Sequence, residues 1–235
     1  MSLLLTETEA RQEICRVGKS LFERGYVHAT AGNISVRLQD ASGGGFLITP
    51  TDACLGNLNP ATLSRLDAKG LQISGEQASK TWALHQQIYQ AATRFDEDTR
   101  CIIHTHSTYC VAATLLANGS DHQELLPALT PYFVMKVGHV PIVPYHRPGD
   151  PAAATLVAGI VVRYGEAGTP IRAVMLQRLG PNVWHKSPAA AMAVLEELEE
   201  TAKLWQLCQG SGMPLPAPLG VTQIDELRHS FGARW

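Results

Sequence analysis

Two short apolar segments constrain the fold of this 235-residue chain more than any other feature. Residues 101–103 and 171–176 are almost entirely apolar, which predicts strands that are buried on both faces. Segments with helical spacing lie between the strands, and the two kinds of element interleave without a regular alternation. The sequence therefore predicts an α/β fold, with a mixed central β-sheet between layers of helices.

The helices are predicted from capping residues and apolar spacing. Thr6 and Glu9 can form a capping box at the start of the first helix, and Gly25 is a natural end for it. A second helix is predicted over residues 79–93, and Pro188 begins the last long helix. Four glutamates of that last helix are predicted to form its solvent-exposed face: Glu196, Glu197, Glu199 and Glu200.

The C-terminal segment differs in composition from the rest of the chain. Pro214, Pro216 and Pro218 predict a stiff, extended linker, and a short helix is predicted from Thr222 onward. We therefore expect one domain over residues 1–210, followed by a linker and a short helix over residues 211–235.

Composition excludes several kinds of partner. The net charge is −2 without a basic cluster, so binding to nucleic acid or to an anionic membrane is not expected. No apolar run is long enough to span a bilayer. The five cysteines are odd in number and scattered, which favours a reduced cytoplasmic protein over a disulfide-linked one.

His104 and His106 are the strongest chemical signal in the sequence. On a strand, residues i and i+2 point to the same side, so both imidazoles could bind one metal ion. A catalytic zinc ion needs three protein ligands, and spacing alone does not identify the third.

Several further motifs follow one another in a fixed order. They are Ala31-Gly32-Asn33-Ile34-Ser35, Thr49-Pro50-Thr51, Ser74-Gly75, Ser79-Lys80 with His85, His104-Thr105-His106-Ser107, Leu129-Thr130-Pro131-Tyr132, Pro148-Gly149-Asp150 and Leu179-Gly180-Pro181. Through this series, from about residue 6 to residue 210, the chain resembles the class II aldolase/adducin family of metal-dependent sugar-phosphate lyases.

The resemblance implies a three-layer α/β/α fold, a homotetramer, and retro-aldol cleavage or decarboxylation of a phosphorylated sugar or sugar acid. One divalent metal ion, zinc by resemblance, would stabilise the enediolate that is left when the carbon–carbon bond breaks. His104 and His106 match two metal ligands, and Tyr132 matches a proton donor that reaches a neighbouring subunit's site. The residues that match substrate and phosphate binding are Gly32, Asn33, Thr49, Ser74, Gly75, Ser79 and Lys80.

The chain departs from the family pattern at two positions. Thr81 stands where the family has a glutamate that ligates the metal and carries protons, and Leu179 stands where it has the third histidine ligand. A threonine hydroxyl is not a useful base near neutral pH, and leucine cannot ligate a metal. Arg178 adds positive charge beside Leu179. Four histidines are candidates for the missing ligand: His85, His139, His146 and His185.

Three interpretations of these departures are open. The first is a lyase with a rearranged metal site. The second is a non-catalytic, adducin-like protein that binds a phosphorylated ligand or a protein partner. The third is an enzyme that uses the retained phosphate-binding residues for different, metal-free chemistry.

Overall fold

The computed structural model describes residues 5–116 and 124–235. Helices α1 to α6 span Glu7–Glu23, Trp82–Ala92, Thr108–Leu116, Pro151–Glu166, Pro188–Gly210 and Val221–Phe231, and a π-helical turn spans Phe133–Val137. Within the described residues, no helix is long and apolar enough to cross a membrane.

Within the described residues, eight strands form a single mixed sheet. Strands β1 to β8 span Asn33–Arg37, Phe46–Ile48, Ser64–Leu66, Gln72–Ser74, Cys101–His104, Ile142–Val143, Ala173–Leu176 and Gly180–His185. Their order in the sheet is β4-β3-β2-β1-β5-β8-β7-β6. Only the pair β6 and β7 is parallel, and the other neighbours are antiparallel.

Helices cover both faces of the sheet, which confirms the predicted α/β fold with a mixed sheet. Cys101 and Ile103 of β5 point to the face that packs against α1, α3 and α5, whereas Ile102 points to the face covered by α2 and α4. This alternation follows from the two-residue period of a strand, and it explains why the whole strand is apolar.

The helix boundaries follow local capping. The predicted capping box of Thr6 and Glu9 is present at the start of α1. Asp150 caps α4 by accepting a hydrogen bond from the Ala152 N–H, and Ser187 caps α5 in the same way through the Ala190 N–H. These caps fix where α4 begins, and the N-terminal end of α4 borders the cavity described below.

One prediction for α5 is wrong. Glu199 is only 3% exposed, and its carboxylate accepts hydrogen bonds from the Tyr109 and Cys110 N–H groups at 2.8 and 2.9 Å. These donors belong to the first turn of α3, whose N–H groups have no partner within that helix. Glu199 therefore satisfies the start of α3 from a neighbouring helix, and a charge pattern on one helix does not reveal this contact.

The C-terminal segment packs back onto the domain. Leu219, Ile224 and Leu227 pack against a small apolar cluster that includes Val134 of the π-helical turn, and the Leu219 N–H donates to the Ala128 carbonyl at 2.7 Å. Trp235 stacks on His139 with ring centres 4.4 Å apart. The predicted short helix is present as α6, while the division of the chain at residue 210 remains a prediction.

Candidate functional site

A cavity of about 260 Å³ lies where several strands end on the side of α2 and α4. Its walls come from residues 30–33 before and at the start of β1, residues 50–52 after β2, residues 79–81, 83 and 84 at the start of α2, and residues 144, 146–151, 153 and 154 leading into α4. Leu176, Gln177 and Leu179 close it near β7. A concave site with convergent polar groups is where a small-molecule site is expected.

A row of three polar residues crosses the centre of the sheet, and two of them, Asn33 and His104, line this cavity. Asn33 of β1 lies directly opposite His104 of β5, which in turn lies opposite Asn182 of β8. All three are buried, at a level of the sheet where neighbouring positions are apolar. In the described residues, the Asn33 Oδ1 and both polar side-chain atoms of Asn182 have no hydrogen-bond partner. Unpartnered buried polar atoms are uncommon, and functional sites are one place where they occur.

His104 is held in one orientation by the strand beside it. Its Nδ1 lies 2.9 Å from the Pro181 carbonyl oxygen, which only accepts, so Nδ1 carries the proton. Burial, then the neighbouring His106, lowers the pKa of His104 to about 3, although the bond to Pro181 opposes this shift. His104 is therefore neutral near pH 7, with an unprotonated Nε2, which is the form that ligates metals.

His106 joins His104 at the cavity although β5 has already ended. The strand stops at His104, and the Thr105 N–H donates to the Pro181 carbonyl at 3.3 Å. The two imidazole rings lie 5.1 Å apart at 66°. Burial and His28 lower the pKa of His106. The predicted convergence of the two histidines is present in the structure, and their role as ligands remains a prediction.

His28 was not singled out in the sequence. It lies in a tight turn before β1, where the Ala31 N–H donates to the His28 carbonyl at 2.9 Å. Its ring centre is 6.3 Å from that of His106. The residue following it, Ala29, has a φ of +48°, which is uncommon outside glycine. The only sequence signal for His28 is its place five residues before Asn33.

Gly32 allows the loop before β1 to approach the histidines closely. It has a φ of +85°, and a Cβ at this position would lie 2.8 Å from the His104 carbonyl oxygen and 2.8 Å from Val27 Cγ1. A side chain here would collide with β5. The resulting loop brings Gly32 and Asn33 to the cavity wall, as the resemblance implies for phosphate binding.

The other predicted substrate-binding residues divide into two groups. Ser79 and Lys80 line the cavity just before α2. Thr49 does not: it is buried, and its Oγ1 accepts a hydrogen bond from the Ile34 N–H at 3.2 Å. Ser74 and Gly75 lie on the exposed edge strand β4 and its end, outside the cavity. Pro50, Thr51 and Asp52 line the cavity in their place.

Thr81 and Leu179, the two positions at which the resemblance predicts a glutamate and a third histidine, both line the cavity. The Thr81 hydroxyl lies 2.8 Å from the Ser79 hydroxyl. Arg178 does not line the cavity; its backbone has a φ of +63°, and its N–H donates to Thr114 Oγ1 at 3.0 Å. The charge of Arg178 is thus exposed instead of being directed at the cavity.

Of the four histidines considered as substitute ligands, only His146 lines the cavity. Its Nδ1 contacts the Pro144 carbonyl at 2.7 Å. His139 packs between Trp235 and Tyr164, with Glu124 at 3.3 Å, and His185 lies at the far end of β8. His85 is fully buried, and its Nδ1 lies 2.8 Å from Ser35 Oγ.

Acidification from pH 7 to pH 5 is expected to lower the free energy of unfolding by about 2 kcal/mol through His85. Burial, then His104, lowers the pKa of His85 from 6.5 to about 3. In the unfolded chain this histidine therefore binds a proton below about pH 6.5, whereas in the folded chain it binds one only near pH 3. The free energy of unfolding therefore falls as the pH falls through this window. Urea unfolding of metal-free protein at both pH values measures the loss.

The His85→Gln variant should lose less stability between these pH values, since glutamine does not titrate. His229→Gln, which changes an exposed histidine, is the matched control and should behave as the unchanged chain does. If the unfolding free energies of the unchanged chain and of His85→Gln depended equally on pH, the loss of stability would not come from His85.

The residues present do not form the complete donor set of a catalytic zinc site. In the part of the chain that the structure describes, no group of three His, Cys, Asp or Glu side chains is already arranged to hold a metal ion. His104 and His106 supply two nitrogen donors, and the two positions where the resemblance implies further donors, 81 and 179, hold a hydroxyl and an alkyl side chain.

Comparison with known proteins agrees with this architecture. Residues 12–206 match the class II aldolase and adducin N-terminal domain. A 3-oxo-tetronate 4-phosphate decarboxylase from Cupriavidus necator is 48% identical over 98% of this chain and 99% of its own length. The chain therefore belongs to the class II aldolase/adducin family, which confirms the resemblance drawn from the ordered motifs.

Two more relatives place the chain within that family. The structure of YgbL from Escherichia coli is 38% identical, with a TM-score of 0.81 over 94% of this chain and 99% of its own. An L-fuculose phosphate aldolase from Haemophilus influenzae is more distant, at 24% identity over 98% of both chains.

Proposed function

We propose that this chain is a lyase that binds a phosphorylated sugar acid in the cavity and removes its carboxylate as carbon dioxide. The observation that carries this proposal is one cavity that collects Asn33, Ser79, Lys80 and the pair His104 and His106. The chain is 48% identical to a 3-oxo-tetronate 4-phosphate decarboxylase over nearly its full length. This similarity supports decarboxylation over the retro-aldol cleavage that the aldolases of the family perform.

The chemistry of a 3-oxo acid defines what the site has to do. The bond between the carboxylate and the adjacent carbon breaks, and its electron pair moves to the ketone as an enolate. That carbon then takes up a proton and gives a ketone one carbon shorter. The site must therefore bind the phosphate, stabilise the negative charge on the ketone oxygen and exclude bulk water.

The chain supplies groups for these tasks. Lys80, Ser79 and the Gly32–Asn33 loop offer one cation and several hydrogen-bond donors, which suits a phosphate. His106 lies beside them, half-buried, and as a neutral imidazole it can donate a hydrogen bond to the ketone oxygen. In family members with a complete donor set, a divalent metal supplies the charge stabilisation.

A homotetramer and a cytoplasmic location also belong to this proposal. Tyr132 is 62% exposed and lies outside the cavity, directly before the π-helical turn. This position suits the role implied by the resemblance, in which Tyr132 donates a proton in a neighbouring subunit's site. All five cysteines are free thiols, which suits a reducing compartment.

A non-catalytic, ligand-binding protein is the second candidate function. Thr81 and Leu179 favour it, because both line the cavity where the family has groups for metal binding and proton transfer. The second candidate keeps the phosphate-binding residues and the fold but performs no carbon–carbon bond cleavage.

Product release separates the two candidates. We expect the purified chain to release carbon dioxide and dihydroxyacetone phosphate from 3-oxo-tetronate 4-phosphate faster than buffer does. Lys80→Ala should raise KM at least about tenfold, since it removes a charge-assisted contact to the phosphate. Lys69→Ala, at an exposed lysine outside the cavity, is the control.

Two results would each count against part of this proposal. Binding of the phosphorylated acid without product above the uncatalysed rate would favour the non-catalytic candidate. An unchanged KM in Lys80→Ala would remove this lysine from the phosphate site.

A further inference from the structure

Two side chains with a full positive charge line the cavity, and they enter it from different parts of the fold. Among the described residues of its wall, Lys80 and Arg147 are the only lysine and arginine. Lys80 lies just before α2, whereas Arg147 lies in the loop between β6 and α4. Lys80 belongs to the proposed phosphate site, which leaves the charge of Arg147 without a role.

The order of the strands separates these two cations. The Ser79 N–H donates to the Thr49 carbonyl at 3.3 Å, so Lys80 lies beside the end of β2. Arg147 follows β6, which is the edge strand on the other side of the sheet. The histidine pair follows β5, which lies between β2 and β6 in the strand order. A cavity with one cation on each side of its centre suits a small ligand with an anionic group at each end.

Gln177 is a second polar group on the side of Arg147. It follows β7 directly, is half-buried and lines the cavity. Its Oε1 accepts a hydrogen bond from the Tyr145 N–H at 3.1 Å, and its backbone N–H donates to the Val143 carbonyl at 3.0 Å. Because the amide oxygen is engaged, the Nε2 group is the one available to a ligand, and the same contact fixes the loop that leads to Arg147.

The N–H groups at the start of α4, close to Arg147, are already engaged. Pro151 has no N–H, and the Ala152 and Ala153 N–H groups donate to Asp150 at 3.0 and 3.2 Å. Asp150 Oδ2 lies 3.8 Å from Arg147 Nε, and the Arg147 side chain is 71% exposed. Arg147 is therefore held only loosely and can turn towards an anion in the cavity.

A carboxylate fits the groups that Arg147 and Gln177 offer. A guanidinium and a primary amide are both planar and present N–H donors in that plane, which matches the two oxygens of a carboxylate. A 3-oxo acid phosphate has its carboxylate and its phosphate at opposite ends of the molecule. When its phosphate lies at Lys80, its carboxylate points towards the side of Arg147 and Gln177.

We infer that Arg147 and Gln177 bind the carboxylate of the substrate and so select sugar-acid phosphates over sugar phosphates that lack this group. The inference rests on the proposed function, because only an acid substrate has a carboxylate. This group leaves as uncharged carbon dioxide, so its contact with Arg147 weakens as the bond breaks. Arg147 is therefore a specificity-determining residue that tightens substrate binding and does not accelerate the chemical step.

Two inert ligands that differ in one group test the inference in the full chain. Erythronate 4-phosphate has the carboxylate but no 3-oxo group to drive decarboxylation, and erythritol 4-phosphate has an alcohol in place of the carboxylate. By calorimetry, we expect the unchanged chain to bind the acid at least about tenfold more tightly, through one charge-assisted contact. Arg147→Gln should bind the two ligands about equally, and Arg147→Lys should keep part of the preference.

Further variants separate the carboxylate from the phosphate. Gln177→Glu keeps the acceptor for the Tyr145 N–H but adds a negative charge, so it should weaken binding of the acid alone by at least about tenfold. Lys80→Ala should weaken binding of both ligands, since both contain the phosphate. Arg94→Gln removes an exposed arginine outside the cavity and is the control. In decarboxylation, Arg147→Gln should raise KM without lowering kcat.

An equal preference for the acid in the unchanged chain and in Arg147→Gln would overturn the inference, as would the absence of any preference in the unchanged chain. If Arg147→Gln bound both ligands more weakly but kept the preference, Arg147 would be a phosphate ligand instead. Normal binding of the acid by Gln177→Glu would remove Gln177 from the site. Failure of the proposed function looks different, because the acid would be preferred through Arg147 while the 3-oxo acid released no carbon dioxide.

Discussion

The combined change Thr81→Glu and Leu179→His is expected to raise the affinity for zinc at least about 100-fold, since it adds two ligands to the pair of histidines. Both positions line the cavity, and the resemblance to the class II aldolase/adducin family implies that both are ligand positions. A glutamate at position 81 also restores a proton carrier, so the rate of decarboxylation should rise by about 10²–10⁴-fold. Zinc titration and product release measure the two effects separately.

A matched control is the change Thr81→Gln with Leu179→Asn, which alters the same positions with poor ligands. It should gain neither affinity nor rate. The absence of any gain in the restored chain would mean that the backbone around the cavity no longer matches the family geometry.

Replacement of Gly180 by alanine is expected to destabilise the chain by about 3 kcal/mol, or to prevent folding, because the added atom has no room. Gly180 has a φ of +147°, and a Cβ would lie 1.9 Å from the Thr105 carbonyl oxygen. The clash lies between β8 and the segment that joins His104 to His106. Relief of the clash would shift Pro181, whose carbonyl binds His104 Nδ1.

Gly159→Ala is the control, because this glycine-to-alanine change is expected to increase the free energy of unfolding. Gly159 lies inside α4, and an added Cβ would meet no atom within 4 Å. Alanine favours a helix over glycine by about 0.5–1 kcal/mol, so this variant should be slightly more stable. Thermal and urea unfolding compare the two variants. Equal stability of Gly180→Ala and the unchanged chain would show that β5 and β8 can separate at this point.

The sequence was sufficient for the fold and for part of the site. The apolar segment around Ile102 predicted a buried central strand, and the histidines that follow it do converge on one cavity. These predictions succeeded because they rest on local properties of the chain: the burial of a strand, and the place of polar residues at the end of that strand.

The contacts that the sequence did not reveal are those between distant segments. His28 is near His106 only because β1 and β5 are neighbours, and a linear motif does not contain that pairing. The burial of Glu199 could not be predicted for the same reason, because its hydrogen-bond partners are N–H groups of another helix. Ser74 and Gly75 are the opposite kind of error. They match a motif in the sequence, but the structure places them on an exposed edge of the sheet, away from the cavity.

The row of Asn33, His104 and Asn182 spans the three central strands of the sheet. Strands at the centre of a sheet generally open only when the whole domain unfolds, whereas surface turns open locally at little cost. The site therefore combines a part with the stability of the entire fold and a part with the stability of one turn. Warming should therefore open the turn that carries His28 long before the strand that carries His104, while the chain remains folded.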